Sequence, residues 1–153
     1  LHDALPIFFE ETDHIKEIIN LALESRIITI INENDGVSKT HDTFGDNDLL
    51  SARICNLVNA DLQILSTNVN GIYKNKDKKV IRYSSNIKDL KKLIFDEKST
   101  PGTGGMGSKL ESATIASATN TKTVIANGNQ ANVLTKIINS ETGTILHNCV
   151  DTN

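Results

Sequence analysis

A chain of 153 residues is long enough for one domain with a sizeable core and too short for two ordinary ones. Its hydrophobic fraction of 38% is compatible with folding, while a net charge of -3 lacks the basic footprint of a nucleic-acid binder, so nucleic acid is not an expected partner. No apolar run approaches the roughly 20 residues that cross a bilayer, and no signal-peptide order opens the chain, so no membrane association is expected. Cys55 and Cys149 are too few for a disulfide framework, and a reducing cytoplasm is the expected compartment.

The opening "LHDALPI" matches no element pattern and resembles translated sequencing-adapter DNA, so residues 1–11 are expected to be a non-native or disordered leader on a truncated reading frame. From Thr12, "TDHIKEIINLALESR" places Ile15, Ile18, Ile19, Leu21, Ala22 and Leu23 on a broad helical face, with Thr12 as its N-cap. The β-branched run "IITIIN", residues 27–32, predicts a strand buried on both faces of a parallel sheet. Residues 33–48, "ENDGVSKTHDTFGDND", form a polar, acidic loop too long for an ordinary connection in an α/β unit. Its Glu33, Asp35, Asp42, Asp46 and Asp48 suit a metal ion or an ammonium group, and Asp46 or Asp48 equally suits the cap of the next helix. No EF-hand spacing is present, and His14, His41 and His147 form no zinc spacing.

Helical periodicity resumes over 49–60, with Cys55 in its apolar pattern, and "DLQILST", residues 61–67, predicts a second buried strand. A lysine-rich turn leads to a short stretch at Val80 to Tyr83 and an amphipathic helix around Ile87 to Phe95, whose lysines read as a solvated face. After the glycine-rich "PGTGGMGSK" come a small-residue helix over 109–119, a strand in "TKTVIAN", a short helix in "NVLTKIIN" and a possible strand in "GTIL". Strands alternating with helices predict an open, mainly parallel α/β sheet, with ligands beyond the carboxyl ends of its strands.

The glycine loop has neither Walker A nor dinucleotide-fingerprint spacing. Thr103, Gly104 and Gly105 stand close to a helix start, with Lys109 about one turn further on, so an anion held at the loop would lie within reach of its ammonium. Spacing alone leaves a phosphate cradle and a plain turn both open.

Taken together, "INENDGVS", "TFGDNDLLSA", "ADLQILSTNVNGIY", "GTGGMGSKLESA" and "VIANG" stand in the order found in the amino acid kinase family and resemble its glutamate 5-kinase branch from about Thr12 to Ile145. The paired F-G-D-N-D and G-T-G-G-M-x-x-K blocks are more specific than either alone. The resemblance implies a three-layer α-β-α sandwich, partial here, with a kinase domain over 12–147 and a tail at 148–153. It implies ATP, carrying Mg2+, as phosphoryl donor and the γ-carboxylate of L-glutamate as acceptor, in the first step of proline biosynthesis.

By matching motif, Asp35 and Asn47 would bind glutamate. A carboxylate suits its ammonium, and an amide meets its carboxylate without adding like charge. Asp48 would position the catalytic lysine, Lys109. Thr67, Asn68 and the block Thr103, Gly104, Gly105, Met106, Gly107, Ser108 and Lys109 would bind ATP. Asn68 replaces the usual acid, and Gly107 stands where Ser or Ala is commoner. No protein metal site is implied.

The resemblance also implies a homo-oligomer and a downstream glutamate 5-phosphate reductase as partners. The family's first strand, early lysine, glycine loops and glutamate-contacting serine have no counterpart before Thr12, so the 153 residues by themselves are expected to show little or no kinase activity. The alternatives are another amino acid kinase acting on a different carboxylate or phosphate, and a non-catalytic nucleotide-binding module.

Overall fold

The structure, a computed structural model, describes residues 5–32, 47–74, 79–95 and 105–147; for 5–11 and 93–95 the backbone alone is described. Helix α1 spans Leu5–Glu24 and α2 spans Asn47–Val58. Strand β1 follows at Leu62–Thr67, then the two-residue strands β2 (Tyr73–Lys74), β3 (Lys79–Val80) and β4 (Tyr83–Ser84). Helices α3 (Ile87–Phe95) and α4 (Met106–Ala116), strand β5 (Lys122–Asn127), helix α5 (Val133–Ile138) and strand β6 (Thr144–Leu146) complete the order.

The main sheet has the strand order β1-β5-β6-β4. β1 runs parallel to β5, β4 runs parallel to β6, and the β5–β6 pair is antiparallel. Strand periodicity decides the layers, because successive side chains of β5 point to opposite faces. Ile125 joins Leu65 and Leu146 against Leu110 and Ala113 of α4 and Ile87 and Leu90 of α3. Val124 and Ala126 face Ile137 of α5 on the other side. Helix α2 lies against α4 and β1, its buried Ala52 and Cys55 packing with Ala116. The result is the expected α-β-α sandwich around a mainly parallel sheet.

Thr12 is not an N-cap: α1 begins at Leu5, with Pro6 in the first turn, where a missing N–H costs nothing. Of the apolar face expected on this helix, Ile19 is buried, while Ile15, Ile18, Leu21 and Leu23 are exposed. The run at 27–32 is not a strand either, since it joins no ladder among the described residues, and Ile28 and Ile30 are 89% and 91% exposed. β-Branched composition favours extended backbone, but a strand exists only where a neighbour accepts its hydrogen bonds.

The small-residue helix also starts earlier than expected, at Met106, and its last turn is a separate 3-10 turn at Ser117–Thr119. Helix ends that carry no glycine account for other boundaries. Arg26, Asn59 and Ser140 take positive φ of 58°, 52° and 58°. The following N–H groups of Ile27, Ala60 and Glu141 then reach back to the carbonyls of Ala22, Cys55 and Lys136.

Candidate active site

Connectivity places the described ends of the two singled-out blocks, Asn47–Asp48 and Gly105–Lys109, at one edge of the sheet. A short turn leads from α2 into β1, so the amino end of α2, with Asn47 and Asp48, returns to the carboxyl end of β1. The same geometry relates α4 to β5. Eleven helical residues rise about 16 Å, close to the length of a six-residue strand, so Gly105 to Lys109 lie at the carboxyl edge too. Thr67 and Asn127 are register partners at that edge.

A direct contact closes the arrangement. Lys109 Nζ donates to Asp48 Oδ2 at 2.7 Å, joining residues 61 apart in sequence. Both side chains are largely buried, 11% and 18% exposed, which makes this a short charge-assisted hydrogen bond rather than a solvated surface pair. Gly105 caps α4 in an extended conformation, φ -83° and ψ -173°, with no side chain across the helix end. Met106, Gly107 and Ser108 form the first turn, whose backbone N–H groups give the helix end its affinity for anions.

The structure thus brings Asp48 and Lys109 together, with Asn47 one residue away at the exposed start of α2. Thr67 ends β1 half-buried, and its hydroxyl lies 3.5 Å from the exposed Asn68 amide oxygen. Asp35, Thr103 and Gly104 lie outside the described residues. Among the described residues no group of three or more His, Cys, Asp or Glu side chains is arranged to hold a metal ion. An apolar groove between α1 and α2, lined by Thr12, Ile15, Arg53, Ile54, Asn56 and Leu57, contains none of these site residues.

Two polar clusters escape motif reading. Beside Thr67, the Asn70 amide oxygen accepts from Asn127 Nδ2 at 3.0 Å and Gln130 Nε2 at 3.1 Å. Beneath Asp48, Gln63 of β1 is 3% exposed and hydrogen-bonds Ser51, Ser112 and Thr123. The available signal for the second was a glutamine inside an otherwise apolar strand, "LQIL", because an amide is buried only where partners satisfy it.

The sequence pattern described as the amino acid kinase family matches residues 4–127. The chain belongs to the amino acid kinase family. Within the family, it is 42% identical over 144 residues to "Glutamate 5-kinase" of Shewanella halifaxensis (strain HAW-EB4), covering 90% of this chain and 37% of that protein. It is 38% identical over 139 residues to the glutamate 5-kinase of Proteus mirabilis (strain HI4320), covering 86% of this chain and 38% of the relative. With the glutamate 5-kinase of Alkaliphilus oremlandii (strain OhILAs) the identity is 37% over 142 residues, 88% of this chain and 54% of the relative.

The chain therefore spans between about a third and a half of the length of these relatives. Among solved structures, Giardia carbamate kinase superposes with a TM-score of 0.63 at 19% identity, covering 87% of this chain and 47% of that one. A protein from Aeropyrum pernix K1 gives 0.54 at 25% identity, covering 67% of this chain and 32% of that one. The Giardia likeness carries the fold alone.

Proposed function

We propose that the chain forms the nucleotide-binding and phosphoryl-transfer part of a glutamate 5-kinase, which transfers the γ-phosphoryl group of ATP to the γ-carboxylate of L-glutamate. The Lys109–Asp48 contact carries the reading, because it joins the two sequence blocks that carry the resemblance to glutamate 5-kinases, at the edge where α/β sheets bind ligands. The identities of 37–42% to glutamate 5-kinases support the choice of acceptor.

The chemistry asks little of the protein beyond position and charge. A γ-carboxylate is already ionised at neutral pH, so its oxygen attacks without a general base. The new bond joins that oxygen to the γ-phosphorus, and the bond to the bridging oxygen breaks with its electron pair leaving on ADP. Negative charge on the phosphoryl oxygens during transfer is what must be met. Lys109 supplies the fixed positive charge, and Asp48 holds its ammonium in place. The N–H groups at the start of α4 face the phosphates, and the absence of a side chain on Gly105 lets the nucleotide approach that backbone.

Thr67 and Asn68 contact the nucleotide, with Thr103 and Gly104 completing the loop. Asn47 meets the glutamate carboxylate and Asp35 its ammonium. Mg2+ would be carried on the phosphates of ATP, as suits a cation that usually keeps substrate and water ligands. A homo-oligomer in the cytoplasm and a reductase that consumes the acyl phosphate complete the proposal.

The test is glutamate-dependent ADP formation by the enzyme that carries this chain, with aspartate, acetylglutamate and carbamate as competing acceptors. Turnover with glutamate at least tenfold above the others is the expected result, corresponding to about 1.4 kcal/mol of discrimination. Equal or greater turnover with another acceptor sinks the assignment.

A further inference from the structure

Gln63 is a glutamine on a strand, buried to 3% exposure, and each of its polar atoms is used. Its Nε2 donates to Ser51 Oγ at 2.7 Å and to Ser112 Oγ at 2.9 Å, which occupies both amide protons. Its Oε1 accepts from Thr123 Oγ1 at 2.9 Å, the hydroxyl of its register partner on β5. The two serines in turn converge on one atom. Ser51 Oγ donates to the backbone carbonyl of Asp48 at 2.7 Å, and Ser112 Oγ donates to the same carbonyl at 2.6 Å.

The direction of these bonds follows from proton counting. A serine hydroxyl has one proton, so a hydroxyl that donates to Asp48 must accept from Gln63, and the amide must turn its NH2 towards both serines. Thr123 then fixes the amide by donating to its oxygen. Four elements, β5, β1, α2 and α4, meet through a single side chain, and Ser112 lies one turn beyond Lys109 on the same face of α4. The residue whose carbonyl is held this way is also the residue whose carboxylate holds Lys109.

We propose that Gln63 is the positioning residue of the site: its amide orients Ser51 and Ser112 so that they hold the Asp48 backbone, and this sets where the Asp48 carboxylate presents the Lys109 ammonium. Its bearing on phosphoryl transfer rests on the function proposed above; the positioning itself is read without turnover.

The experiment is nitrogen-15 NMR of the lysine ammonium groups in this chain, where a hydrogen-bonded ammonium exchanges its protons slowly with water. Gln63→Leu is expected to speed exchange at Lys109 by about tenfold, the scale of one lost charge-assisted hydrogen bond. Gln63→Leu combined with Thr123→Val removes the amide and the hydroxyl that would be left without it, and so keeps the test alive if the single variant fails to fold. Thr114→Ala is the control, since it removes a hydrogen bond of similar length, Thr114 Oγ1 to the Leu110 carbonyl, from the same helix.

Unchanged exchange at Lys109 in folded Gln63 variants overturns the proposal, as does equal acceleration in Thr114→Ala, which would make the effect one of general loosening. In the enzyme that carries this chain, Gln63→Leu is expected to lower kcat by about tenfold to a hundredfold with little change in the KM for ATP, the scale of a small misplacement of a reacting group. Faster exchange with an unaltered kcat supports the positioning and overturns the role given to Lys109.

Discussion

In the proposed function, Lys109 and Asp48 are each of use because of the other. An ammonium left free on a four-carbon stem would spread over many rotamers, and fixing it during the reaction would cost entropy at the moment the barrier is crossed. Held at 2.7 Å by a carboxylate, it is in place beforehand. Lys109→Ala in the enzyme carrying this chain is accordingly expected to lower kcat by about a hundredfold to a thousandfold, the range for removal of one preorganised group that meets transition-state charge, with a smaller effect on nucleotide affinity. Steady-state kinetics and a separate nucleotide titration check it; a raised Kd with an unchanged kcat assigns the lysine to binding alone.

Cys55 shows the opposite use of burial. Desolvation between α2 and α4 raises its thiol pKa above the ordinary 9.0, because the interior disfavours the thiolate. In the unfolded chain the thiol ionises first, so the folded state binds more protons above pH 9.0. This contribution to stability is complete below that pH and is lost as pH rises through the higher folded value. In a Cys149→Ser background, Cys55 is expected to react with thiol reagents at pH 8 at least about tenfold more slowly than in the denatured chain. A matching rate would mean that the α2–α4 seam opens readily.

At the scale of elements, what was legible in the sequence was what local pattern and a neighbour jointly specify. β1, α3, β5, α5 and β6 fall close to where apolar runs and turn residues put them. α4 started before its expected boundary because Gly105 caps it by conformation and not by a side-chain oxygen. The run at 27–32 failed for a different reason, since periodicity reports which residues would fit a strand and not whether a partner lies beside it. The paired blocks could be read from their residues, whereas Gln63, Ser51 and Ser112 belong to a network visible only once three elements are folded together.

That contrast predicts unequal sensitivity to substitution. Ile28→Lys with Ile30→Lys, at positions 89% and 91% exposed, is expected to change the stability of this chain by less than about 0.5 kcal/mol per site while reducing self-association. Urea melts and light scattering check both parts, and a clear loss of stability would show the run to be packed. Gly143→Ala should behave differently. Its φ is +81°, and a Cβ there would meet the Ile125 carbonyl at 2.8 Å, so backbone strain and a fixed obstacle act together. A loss of about 2 kcal/mol or more is expected in the same melts.

For the molecule as a whole, two apolar layers enclose the sheet, and hydrogen-bonded polar groups penetrate them at a few places. Ile125, Leu65, Leu110 and Leu146 close one layer, and Val124, Ala126 and Ile137 the other. The polar groups that penetrate this interior, Gln63, Ser112, Thr123 and Thr144, all have partners, and among the described residues no buried side-chain nitrogen or oxygen lacks one. Satisfied groups of this kind limit the ways in which the layers can slide, since a shifted register would leave several of them buried and unpaired.

The reversed direction of β6 governs where a tether can be attached. Because it runs against β5, its start lies beside Ile125 towards the carboxyl edge, and Leu146 sits opposite Thr123 near the other end. His147 then reaches Asn120, in the turn that leads from α4 into β5. A probe fixed at residue 147 therefore stands about one strand length, ~20 Å, from the Thr67–Asn127 edge. Energy transfer from a fluorophore there to a fluorescent nucleotide is expected to report that separation. A distance under about 10 Å would place the nucleotide at the opposite edge of the sheet. The surface next to residue 147 can hold the protein to a solid support while the edge proposed for the nucleotide stays open to solution.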